Sequence, residues 1–398
     1  MAGEARALRS RLGNPVTGED FWPRPDLVDD LCTDLAEDRG SRRLFALRRI
    51  GKTSVLLELE RQLSARHDLR VIRIDAQGIS RFGDFLTKLF EPIPAEGPRS
   101  LFGRLADSRA VQAIAPLLAA RLSGQPAPAE LRFQNEFSHR AAWAGEIEAA
   151  LKAAGPIVLI LDELPFMLRN MLQGDYAARD AEQFLATLRS WRMNAGLRML
   201  LSGSIGLAQI RRTHGVQVAD HIGDVIPVHL PPLAPDEAAD MVDALARGAG
   251  LRDWSRALSE AIVAASAETW PIFLQYGFAE IRKTRLRDPA AVRSAIEARV
   301  RPVLDETFYE QFSTRLSRYG EDQRAARAIL KAVAASPEPV PFATADAALD
   351  ALGALERRDD LFEALREDDF LLFDTEAQSL RPASRLVPVW VRARAWGR

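Results

Sequence analysis

The sequence predicts an α/β fold: a parallel sheet with crossover helices, then an all-helical region, then three helices and a hairpin. Three observations carry this reading. Short apolar runs alternate with long amphipathic helical patterns as far as Leu230, the rhythm of strands joined by crossover helices. Pro231-Pro232 then stops that alternation, because two successive prolines cannot continue a ladder. From Pro235 to Arg318 every segment reads as helix, and the pattern changes again after Tyr319-Gly320.

The five apolar runs are residues 44–47, 71–75, 157–161, 197–202 and 225–230. The third has no alternation, which predicts a strand buried on both faces at the centre of the sheet. Helical patterns lie between the runs at 53–65, 82–90, 133–154 and 177–195, most of them ended by Gly or Pro. The long connection over 91–131 is rich in Pro and Ala and predicts one extra helix at 110–122. Helices at 236–246, 257–267 and 290–300 make up the helical region. Helices at 322–335, 344–355 and 360–367 precede apolar runs at 370–373 and 379–381, separated by a polar turn at 374–378. Three helices and a hairpin describe a winged helix, a helix-turn-helix variant. The expected domains are a parallel-sheet α/β core over 1–232, a helical lid over 233–318 and a winged-helix domain over 319–398.

Length supports two or three domains, since 398 residues exceed what one core usually holds. A net charge of −2 excludes a globally basic nucleic-acid binder, so any basic surface must be local. The single Cys32 cannot form an intramolecular disulfide, and the five histidines show no zinc-site spacing. No apolar stretch reads as a signal peptide near the first residues or as a membrane span later. The expected location is the cytoplasm.

Chemistry concentrates in the segment from Phe45 to Ser54, between the first strand and the first long helix. A phosphate-binding loop needs backbone N–H groups curled around the anion, and Gly51 permits that close approach. The dipole of the following helix adds favourable potential. Lys52 supplies a charge for the β- and γ-phosphates and Thr53 a hydroxyl for Mg²⁺. Arg48, Arg49, Ile50 and Ser54 complete the expected nucleotide-binding set. The full pattern G-x-x-x-x-G-K-[ST] would place glycine at position 46, where the chain has Ala46. The loop must therefore enter in an ordinary conformation there or bear modest strain.

The third strand delivers two carboxylates, Asp162 and Glu163, at its carboxyl end, where ligands of open α/β sheets sit. Asp162 is expected to hold Mg²⁺ and Glu163 to act as general base toward the attacking water. The alternative is a helix N-cap at Asp162 beside a solvated Glu163. After the fourth strand, Ser202 and Ser204 fit either sensing of the γ-phosphate or turn chemistry. Arg211 and Arg212 fit either arginine fingers aimed at a neighbouring subunit or partners of their own helix terminus.

Taken in order, Phe21-Trp22-Pro23-Arg24, the Leu47–Ser54 segment, the Asp162-Glu163 strand, Ser202-Gly203-Ser204 and Trp270-Pro271-Ile272-Phe273-Leu274 resemble the archaeal-type ATPases of the STAND class. That class is related to AAA+ proteins and origin-recognition initiators, and the resemblance covers nearly the whole chain. It implies ATP or ADP with Mg²⁺ as ligands and a conformational switch as purpose. The family's Phe-x-Gly-Arg segment packs near adenine; here Pro23 replaces the glycine, so Arg24 and the aromatic pair carry over. The family's Gly-His-Pro turn appears as Thr269-Trp270-Pro271, keeping only the proline, and Trp270 reads as core.

The third helix of the winged-helix module, read from Asp359 to Asp369, is acidic and would repel phosphates. The tail carries Arg381, Arg385, Arg392, Arg394 and Arg398 with Trp390 and Trp396. That pattern fits a nucleic-acid or partner surface, or a packed amphipathic helix with solvated arginines. The favoured partners are nucleotide and either a protein or a second copy of the chain. DNA is the rival, and no membrane is expected. The expected activity is slow ATP hydrolysis in a regulatory switch; the alternatives are an ATP-controlled DNA-binding initiator and a non-hydrolysing interaction module.

Overall fold

The computed structural model describes residues 6–38, 40–66, 69–90, 147–149, 151–152, 155–174 and 176–394. The chain divides into two compact units, one of Pro25–Phe45 and Leu59–Val228, the other of Met1–Arg24, Ala46–Glu58 and His229–Arg398.

The first unit is built on five parallel strands: β1 (Arg42–Phe45), β2 (Arg70–Asp75), β3 (Ile157–Asp162), β4 (Arg198–Gly203) and β5 (Ile226–Pro227). Their order is β2-β3-β4-β1-β5, with Arg42 opposite Leu200 and Val158 opposite Arg198. All five expected strands are present. The middle one is β4 rather than β3, which corrects the placement read from the 157–161 run. β3 is still interior, and all six of its residues are buried. β1 begins two residues before the apolar run, at Arg42 and Arg43, because the buried Arg42 guanidinium pairs with Asp34 at 2.8 Å. The fifth strand shortens to two residues and lies at an edge, where a proline is tolerated.

Around the sheet lie α1 (Pro25–Ala36), the carboxyl-terminal part of α2 (Lys52–Arg66), α3 (Phe82–Phe90), α4 (Leu164–Gln173), α5 (Ala178–Ala195) and α6 (Leu207–His214). An aromatic cluster joins α3 and α5: Phe85 meets Phe184 edge-on at 5.1 Å and stacks on Trp191 at 6.4 Å. The helix expected at 110–122 lies outside the described residues, as does most of the one at 133–154.

The second unit contains α7 (Pro235–Gly248), α8 (Arg256–Ala265), α9 (Pro271–Thr284) and α10 (Pro289–Ala295), which runs through a wide turn, Ile296–Val300, into α11 (Arg301–Ser317). There follow α12 (Gln323–Ala334), α13 (Phe342–Asp350) and α14 (Arg358–Glu367), an antiparallel sheet of β6 (Val340–Pro341), β7 (Leu371–Asp374) and β8 (Ser379–Pro382), and α15 (Leu386–Ala393). Phe312, Phe370 and Trp390 form the shared core of α11, the hairpin and α15. Among the described residues no helix is long and apolar enough to cross a membrane.

Candidate functional site

The loop that follows β1 is shaped by two left-handed residues. Gly51 sits at φ 107°, where side chains are strained although a Cβ would meet nothing within 4 Å. Arg49 sits at φ 72°, which costs a non-glycine residue about 1 kcal/mol. Ala46 stays out of the left-handed region, so the missing glycine is met by an ordinary entry into the loop. α2 opens at Lys52, with Val55 N–H donating to Gly51 O at 3.1 Å. Ile50 and Lys52 are buried, while Arg48 and Arg49 are exposed. The Ser54 hydroxyl accepts from Val16 N–H at 3.1 Å, and the buried Glu58 accepts from Thr17 Oγ1 and Gly18 N–H at 3.0 Å each. The amino-terminal segment is thereby fastened along α2.

Groups from the far end of the chain hold the entry half of the loop. Leu47 N–H donates to Asp369 Oδ2 at 2.9 Å, Arg48 N–H to Gln311 Oε1 at 2.9 Å, and Arg315 Nη2 to Ala46 O at 3.2 Å. Arg315 also donates to Asp368 O, and Tyr319 Oη to Asp368 Oδ2 at 3.0 Å. His229 Nδ1 lies 3.7 Å from Asp369 Oδ1. Burial pushes the Asp369 carboxyl up, against the pull of His229, Arg315 and the Leu47 amide. Burial likewise pushes His229 down. Neither Asp368 nor Asp369 lies on the acidic face expected of the third helix. α14 ends at Glu367, Asp369 is left-handed at φ 60°, and both side chains are buried. Nothing local in the sequence marks them, since their partners are long-range.

At the end of β3 the two carboxylates are fixed by the next strand. Ser202 Oγ, fully buried, donates to Asp162 Oδ1. Glu163 Oε2 accepts both Ser204 N–H at 2.9 Å and Ser204 Oγ at 3.0 Å. Glu163, not Asp162, is the residue that caps α4, and it does so in the left-handed region at φ 60° with Pro165 in the first turn behind it. The N-cap reading of Asp162 is therefore set aside. Gly203 is required by space: a Cβ there would lie 2.6 Å from Pro165 Cδ. Arg211 and Arg212 occupy the last turn of α6, which Gly215 closes in a left-handed C-cap donating to Arg211 O at 2.8 Å.

Elsewhere Arg24 Nη1 donates to Pro231 O at 2.6 Å, and burial pushes its guanidinium down to about 10. Thr269 Oγ1 donates to Leu233 O at 2.6 Å, and Trp270 is core, stacked on Phe308 at 5.4 Å. In the tail, Arg385 is paired with the buried Glu268 at 3.1 Å and Arg392 donates to Ala334 O at 3.2 Å, while Arg381 and Arg394 are exposed. Trp390 is buried. Trp396 and Arg398 lie outside the described residues.

A five-stranded parallel sheet in this order, with a loop-to-helix turn after β1 and paired carboxylates after β3, is the fold of the P-loop ATPases. A solved structure shares it. A Walker-type ATPase of Pyrococcus abyssi is 16% identical and superposes with a TM-score of 0.57, over 96% of this chain and 99% of that one. The ORC2 protein of Aeropyrum pernix, in its ADP form, is 14% identical over 97% of each chain with a TM-score of 0.47. Cdc6p from Pyrobaculum aerophilum is 12% identical over 94% of this chain and 95% of that one with a TM-score of 0.40. No protein-family model and no curated protein matches the chain.

Proposed function

We propose that this chain binds ATP with Mg²⁺ and hydrolyses it slowly to ADP and phosphate, as a regulatory switch of the STAND/AAA+ type. The observation that carries the reading is the pair of carboxylates at the end of β3, each fixed by its own serine. A carboxylate held in place at the carboxyl edge of a parallel sheet is what Mg²⁺ and an attacking water require. The hard oxygen donors of Thr53 and Asp162 suit Mg²⁺, which takes its other ligands from phosphate and water; bound there, the ion would neutralise charge developing on the phosphates. Arg48, Arg49, Ile50, Gly51, Lys52, Thr53 and Ser54 form the nucleotide-binding segment, with the Lys52 charge opposing phosphate. Glu163 acts as general base, oriented by the two hydrogen bonds that its Oε2 accepts from Ser204, with Oε1 left to accept from the attacking water. Ser202 and Ser204 would report the γ-phosphate through the same bonds.

The domains of this reading are the ATPase core (1–232), the helical lid (233–318) and a winged helix (319–398) that docks on protein, either a partner or a second copy. Duplex DNA is the weaker partner, since Arg385 and Arg392 already serve internal contacts. The buried Cys32 suits a reducing cytoplasm. The test is Lys52→Ala: Mg·ATP affinity by calorimetry should fall about 100-fold while the Tm holds, as expected for loss of charge-assisted hydrogen bonds. Unchanged affinity would refute ATP binding at this loop.

A further inference from the structure

We infer that Asp369, Gln311 and Arg315 are positioning residues for the nucleotide-binding loop, holding Ala46, Leu47 and Arg48 in the shape that a glycine-rich entry would otherwise adopt by itself. This inference rests on ATP binding at the loop as proposed above. Three consecutive loop residues are each held by a different side chain: Ala46 O by Arg315, Leu47 N–H by Asp369 and Arg48 N–H by Gln311. Gln311 and Arg315 are four residues apart on α11, hence on one helix face. Asp369 reaches the loop from the turn after α14, where its own left-handed backbone ends the helix.

The physical need for such support follows from the loop itself. Glycine at position 46 would widen the conformations open to the entry; Ala46 narrows them, and the left-handed turn falls instead on Arg49. A non-glycine residue persists there only when its surroundings over-determine it. The three contacts supply that constraint. They also satisfy the amides of Leu47 and Arg48, so the entry half of the loop is fixed from outside and the exit half, from Gly51 into α2, carries the anion-facing role. The Leu47 contact is buried, whereas the Arg48 contact is exposed, and at 2.9 Å it is shorter than the buried Arg315 contact to Ala46 O.

The test uses the full chain with Mg·ATP as the probe. Gln311→Ala should weaken ATP binding about threefold and Asp369→Ala about tenfold or more, in line with losing one exposed and one buried hydrogen bond. Asp369→Asn keeps an oxygen that can accept the Leu47 amide and should stay within about threefold of the parent. Hydrogen exchange at the Leu47 and Arg48 amides should accelerate in Asp369→Ala and Gln311→Ala respectively, with or without nucleotide. Should Asp369→Ala not fold, Gln311→Ala and the Arg48 amide still decide. Parent-like affinity and exchange in folded variants would overturn the inference while leaving ATP binding intact, as Lys52→Ala would show. Tighter ATP binding would overturn it too, because the contacts would then hold the loop shut. A parent chain that binds no ATP would instead bring down the proposed function.

Discussion

Asp162 and Glu163 are held by serines 40 and 41 positions along the chain, at the end of the adjoining strand. Ala46, Leu47 and Arg48 are held by groups 263 to 322 positions away. The carboxylates therefore depend on sheet register, a property of the strands themselves, whereas the loop entry depends on the helical unit being folded around it. In the proposed reading the two carboxylates take their orientation from the sheet, and the nucleotide-binding loop takes its shape from the helices.

The difference can be broken at either side. The largest effect is expected from Glu163→Gln, which keeps Asp162 and the fold but removes the proposed base. Single-turnover hydrolysis should drop by about 100- to 10,000-fold with ATP still bound, and hydrolysis at the parent rate would take Glu163 out of the mechanism. Next comes Gly203→Ala, which drives a Cβ into Pro165 and should cost about 2 kcal/mol of stability by denaturant titration. It tests whether the sheet-side half stands on close packing; a neutral result would deny it.

The smallest effect sharpens the loop side. Burial raises the Asp369 carboxyl above its unfolded value, with Asp368 adding to the rise and His229, Arg315 and the Leu47 amide opposing it. Between the unfolded and folded values the native state then binds the more protons, so stability falls as pH rises through that window and the cost is fully present above it. Asp369→Asn removes the cost. Its Tm should exceed the parent's slightly at pH 7, and the gap should close as pH falls through the Asp369 transition. A gap independent of pH would mean that the carboxylate is not the source.

What the sequence made legible was local. The 157–161 run is apolar throughout because the strand is buried on both faces, and Gly51, Lys52, Asp162 and Glu163 stand where strand ends and loops meet. Less was legible where a partner is distant. Arg42 and Arg43 did not look like strand until Asp34 neutralised one of them. Asp369 read as one more acid on the third helix of the winged-helix module, and its distant partners, the Leu47 amide and His229, reveal otherwise. α4 escaped notice because it begins directly behind the carboxylates, with Pro165 in its first turn.

Glu268 is almost fully buried and takes its ion pair and a backbone N–H from Arg385. Removing Arg385 leaves the Glu268 carboxylate buried without its ion pair, a destabilising change. The carboxyl-terminal segment therefore cannot be traded as a cassette. A chimera that grafts another terminal module onto these helices inherits a buried carboxylate without its ion pair as well as an unfinished loop, and must bring an arginine for Glu268 and an acceptor for the Leu47 amide.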